Sequence, residues 1–329
     1  MAWGSYYRGD GVARPIALPP PPPWREFPRR PLGLAFRPPP GLPEAVNAAL
    51  TLRRPLLLTG PPGSGKSTVI ESVARELKLG PVLRWHITSR STLTEALYRY
   101  DVLGRIHEQQ LTQARDARRA SETNRTGGVQ NTAADDIDDI APFLRLGPLG
   151  TALVPAPQPR ALLIDEIDKS DLDLPGDLLD VLERGEYEIA ELARYSSPVV
   201  AVRLWDSQQT HPIQAGRLRC TEFPFIVMTS NDERDFPPAF LRRCLRFAMP
   251  EPTVELLRDI VGAHLGMHVP QNAAVEELLS RFLARLHAGE SLAIDQLLNA
   301  VFILTGDDAP QGAQRDDLLN ILLHELTHA

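Results

Sequence analysis

The chain has 329 residues, 43% of them apolar, and a formal net charge of −7. That length suggests about two domains and the apolar share supplies a sizeable core, while the negative balance argues against a general nucleic-acid binder and leaves room only for a local basic surface. Cys220 and Cys244, the two cysteines, fit neither a disulfide framework nor a zinc site and read as buried thiols in a reducing compartment. No apolar run is long enough to cross a membrane. The hydrophobic residues near the N-terminus are interrupted by prolines and arginines, unlike a signal peptide. A cytoplasmic protein with no membrane partner is expected.

Residues 1–42 form a proline-rich arm, with Leu18-Pro-Pro-Pro-Pro-Pro23 and Pro38-Pro-Pro40. Proline fixes φ and removes donors, so neither a sheet nor a long helix is expected there. Two readings stand: an extended arm lying over a neighbour with Trp24, Phe27 and Phe36 as anchors, or a plain disordered tail. After a short helix over 44–50, Pro55-Leu-Leu-Leu-Thr59 reads as a buried strand. Then comes Gly60-Pro-Pro-Gly-Ser-Gly-Lys-Ser-Thr68, a full match to the phosphate-loop pattern G-x-x-x-x-G-K-[S/T]. A helix follows, with Val69, Ile70, Val73 and Leu77 at helical spacing and Gly80 as its stop. Strand, glycine loop and helix form the arrangement that wraps backbone N–H groups and a helix N-terminus around a polyphosphate. The candidate phosphate-binding residues are Gly60, Pro61, Pro62, Gly63, Ser64, Gly65, Lys66, Ser67 and Thr68. Lys66 is placed to reach the β- and γ-phosphates and the Ser67 hydroxyl to ligate Mg²⁺.

Further along, Pro81-Val-Leu-Arg-Trp-His-Ile87 reads as a strand, and Thr92-x-x-Glu95 as a capping box opening a helix through Leu103 or beyond. Between 112 and 140 the pattern dissolves into charged and polar residues. There Asp135-Asp-Ile-Asp-Asp139 lacks the turn and closing glutamate of a calcium loop and reads as a solvated acidic loop. Arg160-Ala-Leu-Leu-Ile-Asp-Glu-Ile-Asp-Lys-Ser170 is an apolar run ending in two acids, the mark of a buried parallel strand delivering carboxylates beside the phosphate loop. Asp165 is the candidate second Mg²⁺ ligand and Glu166 the candidate general base for an attacking water. A helix over 172–184 and β-like runs at Tyr187-Glu-Ile189 and Val199-Val-Ala-Val-Arg-Leu204 come next, around Ser196-Ser-Pro198 in what reads as a projecting hairpin. Phe223-Pro-Phe-Ile-Val-Met-Thr-Ser-Asn231 is another buried strand, whose terminal Asn231 is placed to bond the attacking water or γ-phosphate. Arg242 and Arg243 close a short helix and can reach across to a neighbour's γ-phosphate. From Pro250 four helical patterns follow, at 252–266, 272–287, 291–305 and 314–327. The expected organisation is an arm over 1–42, an α/β nucleotide-binding domain over 43–249, and a helical lid domain over 250–329.

On these residues the chain resembles an AAA+ ATPase, more narrowly the MoxR-like branch. The motifs occur in the family's order: 60–68, Gly147-Pro-Leu-Gly150, Ala161-Leu-Leu-Ile-Asp-Glu-Ile-Asp-Lys169, Thr229-Ser-Asn231 and Pro238-Ala-Phe-Leu-Arg-Arg243. The resemblance implies a P-loop NTPase parallel sheet flanked by helices, an all-helical C-terminal lid, and a site at a subunit boundary that hydrolyses ATP with Mg²⁺. It further implies ring assembly, commonly hexameric. Asn231 resembles the family's sensor 1, and Arg243 its arginine finger, with Arg242 as the fallback. Residues 188–219 resemble the clade's hairpin insertion. Members often work with a protein bearing a von Willebrand A domain, as chaperone-like remodelling or metal-insertion machines, and Leu97-Tyr-Arg-Tyr-Asp-Val-Leu-Gly-Arg105 looks most like relatives in bacterial conflict or signalling systems. One departure stands out: the family's lid arginine, sensor 2, has no counterpart in Gly289-Glu-Ser-Leu-Ala-Ile-Asp295.

Alternatives to a remodelling motor remain. A nucleotide-gated scaffold that hydrolyses little is favoured slightly by the absent lid arginine. A small-molecule kinase needs an acceptor pocket rather than paired arginines for a neighbour, and a nucleic-acid motor runs against the acidic balance. His324-Glu-Leu-Thr-His328 matches the zincin signature H-E-x-x-H. A zinc protease is not expected from it, because the sequence supplies no third ligand beyond it and the turn is terminal. The histidines read instead as a polar helix end that complements the dipole.

Overall fold

The computed structural model describes residues 6–7, 9–16, 18–27, 36–126, 139–265, 273–290, 292–306 and 309–324. In chain order the elements are α1 (Leu42–Leu52), β1 (Leu56–Thr59), α2 (Lys66–Glu76), β2 (Leu83–His86), α3 (Leu93–Leu97), β3 (Tyr98–Tyr100) and α4 (Val102–Thr126). Next come β4 (Leu144–Leu146), α5 (Pro148–Ala152), β5 (Ala161–Asp165), α6 (Leu174–Arg184), β6 (Glu186–Glu188) and α7 (Ala190–Ala193). β7 (Val199–Arg203), β8 (Thr210–Gln214), β9 (Arg217–Arg219), β10 (Phe225–Ser230), α8 (Pro238–Leu241) and β11 (Leu245–Ala248) follow. The chain then runs through α9 (Val254–Leu265), α10 (Ala273–His287), α11 (Ile294–Leu304) and α12 (Ala313–Leu322).

β10 is buried along its whole length and β5 at every residue but Asp165. Strands without a solvent face belong inside a parallel sheet covered on both sides. They are the inner members of a five-stranded sheet in the order β11-β1-β10-β5-β2, parallel at each pairing. Alternation splits the side chains between two cores. Leu56, Leu58, Leu163 and Val227 face α1 and α2, where Val46, Val69 and Ile70 complete the packing. Leu57, Leu162, Ile164, Ile226 and Met228 face the opposite core with α5 and α6. Because the strands are parallel, β1, β5 and β10 end on the same edge, and this register brings Thr59, Asp165 and Ser230 together. Helices α9 to α12 form a helical unit with its own core around Leu257, Leu279, Phe282, Leu297 and Val301.

A second, six-stranded sheet, β3-β4-β7-β8-β9-β6, was not anticipated from the sequence. The expected helix from Thr92 breaks after Leu97, because Tyr98–Tyr100 pairs antiparallel with Leu144–Leu146; aromatic residues favour the extended state when a partner strand is available. Asp101 then restarts the helix, its carboxylate accepting from Gly104 N at 2.8 Å. The expected loop from residue 112 is instead α4 as far as Thr126. The run 135–138 lies outside the described residues, and Asp139 accepts from Ala141 N at 2.9 Å. Within 188–219, β7 and β8 pair as an antiparallel hairpin that turns at 204–209, not at Ser196-Ser-Pro198, and β4 and β9 build it into this second sheet. Nor is His324 on a helix, because α12 ends at Leu322; His328 lies outside the described residues. Among the described residues no group of three metal-ligating side chains occurs, and no helix is long and apolar enough to cross a membrane.

Two of the arm's three expected anchors, Trp24 and Phe36, pack on their own chain. The Trp24 indole donates to Asn299 Oδ1 at 3.2 Å and lies edge-on to Phe302 and His264, with centroids 5.8 and 6.4 Å away. Phe36 packs with the α1–α2 core, whereas Phe27 is exposed.

Gly150 in α5 packs so closely that a Cβ there would collide with the Leu97 carbonyl. Gly176 in α6 faces open space. Gly150→Ala should therefore lose about 1–3 kcal/mol to overpacking, and Gly176→Ala should gain up to about 1 kcal/mol from helix propensity. Urea denaturation of both variants checks this pair of opposite signs.

Candidate active site

The site starts where β1 turns into α2. Gly60, Gly63 and Gly65 have φ of 138°, 73° and 83°, conformations that L side chains rarely adopt. A Cβ on Gly63 would lie 2.7 Å from Ala293 Cβ, so the loop tip touches the helical unit directly. α2 opens at Lys66 and presents its N-terminal donors to the loop. Ser64 Oγ is buried without a partner among the described residues.

Lys66 is buried, and its ammonium donates to Gly60 O (2.6 Å), Pro61 O (2.8 Å) and Asn231 Oδ1 (2.9 Å). Burial pulls its pKa below the ordinary lysine value; Asp168, Asp165, Asp232 and Glu166 oppose that pull electrostatically. Asp165 ends β5 with Oδ1 accepting from two hydroxyls, Ser67 Oγ at 2.7 Å and Thr229 Oγ1 at 2.6 Å. Thr229 Oγ1 also accepts from Glu166 N at 2.9 Å. One threonine thus ties both adjacent acids to β10. Glu166 sits in the left-handed region with φ of 60°, a strain that clusters at functional positions. Its carboxylate lies 2.9 Å from Lys169 Nζ and 3.6 Å from His86 Nε2 at the end of β2.

Several contributors were not singled out from the sequence. Asp168 is buried and accepts from Asn231 N at 2.7 Å, which fixes the loop after β10. Its Oδ1 has no partner among the described residues. Arg234 clamps the loop after β5 to the loop after β10, donating to Ser170 O (2.7 Å), Ser170 Oγ (2.7 Å) and Asp171 O (2.8 Å). Asp168 and Thr229 lie inside motifs read from the sequence, at 161–169 and 229–231, and the polar side chain of Thr229 on a buried strand is the signal that could have marked it.

Loop, strand tips, arm and helical unit enclose one cavity of about 700 Å³. Lys66, Ser67, Asp165, Glu166, Thr229 and Asn231 line one end, and Trp24, Phe36, Met249, Ile260 and Leu298 line an apolar end. The start of α11 places Ile294 and Asp295 on the wall. The single guanidinium among the described lining residues is that of Arg37, from the arm. Arg242 and Arg243 do not line this cavity. Arg243 pairs with Glu183 of the same chain and donates to Ala239 O at 3.0 Å. The Arg242 side chain is exposed and has no partner among the described residues.

The donor set fits a nucleoside polyphosphate and a hard cation. The orphan Ser64 hydroxyl, the glycine cradle and the buried Lys66 suit phosphate oxygens. Ser67 and Asp165 supply oxygen ligands of the kind Mg²⁺ takes.

Residues 42–189, a little under half of the chain, match the family model described as the AAA ATPase domain. No curated protein matches the chain. Among solved structures, NtrX from Brucella abortus in complex with ATP is 14% identical with a TM-score of 0.41, over 86% of this chain and 54% of that one. The ADP complex of NtrX is 16% identical with a TM-score of 0.38, over 86% and 52%. Domain III of the Thermotoga maritima replication initiation protein DnaA is 14% identical with a TM-score of 0.39, over 87% and 93%. The chain spans about half the length of the NtrX chains. The family match and the geometry together support a nucleotide-binding ATPase domain.

Thr229→Val is nearly isosteric and removes the hydroxyl that holds Asp165 and Glu166. It should cost about 1–3 kcal/mol, the price of unsatisfied buried groups, in urea denaturation. Thr94→Val, at an exposed position of α3, should stay within about 0.5 kcal/mol of the parent.

Proposed function

We propose that the protein is an AAA+ ATPase, converting ATP and water to ADP and phosphate in an oligomer that remodels a partner. The observation that carries this reading is the convergence of Lys66, Ser67, Asp165, Glu166 and Asn231 on one cavity, with Ser67 and Asp165 2.7 Å apart and Lys66 and Asn231 2.9 Å apart. In this reading residues 60–68 wrap the phosphates. Lys66 exchanges its carbonyl partners for phosphate oxygens, and the cost of burying its charge is offset by theirs. Ser67 and Asp165 hold Mg²⁺, which when bound neutralises charge developing on the phosphates. Glu166 orients and polarises the attacking water, which requires its carboxylate to leave Lys169. Asn231 bonds the γ-phosphate or the water. The apolar end, with Trp24 and Phe36, suits a base.

The remaining cation comes from a neighbouring subunit. Here Arg242 is the better candidate, because Glu183 holds the Arg243 guanidinium within its own chain. The MoxR-like motif order and the hairpin segment support placement in that branch, a ring assembly and a partner with a von Willebrand A domain. A second reading, a nucleotide-gated scaffold with little turnover, is favoured by Asp295 where a lid arginine is expected.

Steady-state ATPase rate against protein concentration tests the reading. The specific rate should rise with concentration. Glu166→Gln should lose about 10²–10⁴-fold in kcat while still binding ATP. Arg242→Ala should lose about 10³-fold or more, with Arg243→Ala affected less. A negligible rate at every concentration with intact ATP binding leaves the scaffold. No binding by the parent protein removes both readings.

A further inference from the structure

The second sheet carries a basic array that the nucleotide site does not use. Arg99 on β3 stands directly opposite Arg145 on β4, and Arg145 opposite Arg203 on β7. Neighbouring strands lie about 4.8 Å apart, so three like charges sit side by side across about 10 Å. They share the outer face, because the alternate residues Leu144, Leu146, Val202 and Leu204 are buried. Like charges directly opposite are destabilising. Elsewhere the same sheet relieves such charge, with Arg217 3.2 Å from Glu188 and Arg219 3.8 Å from Glu186. Among the described residues no carboxylate pairs with Arg99, Arg145 or Arg203.

Trp205 organises the array. Its backbone N donates to Thr151 Oγ1 at 2.9 Å, and its ring stands under the guanidiniums of Arg145 at 5.1 Å and Arg99 at 5.3 Å. A stacked guanidinium is held in place while its in-plane N–H groups remain free. Arg145 Nε is a buried donor without a partner among the described residues. Two preoriented forks beside a third arginine make a receptor for bidentate oxyanions.

We infer that the Arg99–Arg145–Arg203 array, braced by Trp205, docks a carboxylate-rich polypeptide segment of a partner protein. Carboxylates match the forks one for one and supply the countercharge that, among the described residues, this part of the sheet lacks. Single-stranded nucleic acid fits less well. The ring on which a base would stack is already covered by two guanidiniums.

Fluorescence anisotropy of labelled octaglutamate, titrated with the full chain without nucleotide, tests this. Binding should weaken with added salt. It should fall about tenfold or more in Arg99→Ala/Arg203→Ala. Arg145→Lys should also bind more weakly, because it keeps the charge and loses the stack and the fork. Arg184→Ala, at an exposed arginine paired with Asp180, should leave binding unchanged. If the double variant fails to fold, Arg203→Glu alone at its exposed position gives the same readout. No binding of octaglutamate, binding equal in the array variants, or tighter array-dependent binding of an oligothymidylate overturns the inference.

Discussion

One carboxylate oxygen holds the site together. Asp165 Oδ1 accepts from Ser67 at 2.7 Å and from Thr229 at 2.6 Å, so the start of α2, the end of β5 and the end of β10 are tied at a single atom. The parallel sheet makes this possible, because all its strands end on one edge. The same threonine accepts from Glu166 N, which fixes the left-handed turn that aims the next acid. A charged acceptor with two hydroxyl donors is a strong junction. The positions of Lys66, Glu166 and Asn231 follow from it.

Around that junction the cavity is closed by parts of the chain far apart in sequence. The loop tip at Gly63 meets Ala293 at the start of α11, and the arm is fastened to the helical unit through Trp24 and Asn299. The loop thus touches the helical unit, and the helical unit touches the arm. In the proposed reading this coupling turns occupancy of the phosphate site into motion. Asp295 and Arg37 are among the charged residues of the cavity wall, from α11 and from the arm.

The sheet was legible because its signals are local. Pro55-Leu-Leu-Leu-Thr59 before the glycine loop, and two apolar runs ending in Asp165-Glu166 and Asn231, each state a buried strand and its polar tip within ten residues. The helical unit was legible from 3.6-residue periodicity. What stayed hidden depends on partners distant in sequence. Tyr98-Arg-Tyr100 continues a helical pattern until Leu144–Leu146 offers it a strand edge. Arg234 looks like a loop residue until Ser170 and Asp171 come within hydrogen-bond reach. Trp24 in a proline-rich arm says nothing of Asn299, 275 positions away. The Arg99–Arg145–Arg203 row exists only through strand register. Arg243 shows the converse limit: the sequence offers its guanidinium to a neighbour, but within the chain it pairs with Glu183.

The most direct test of the central claim is a crystal structure with Mg²⁺ and a non-hydrolysable ATP analogue. The account predicts phosphates wrapped by residues 60–68, Mg²⁺ at Ser67 and Asp165, and the base in the apolar end beside Trp24 and Phe36. A nucleotide bound elsewhere, or phosphates in the loop with the metal away from Ser67 and Asp165, would contradict it.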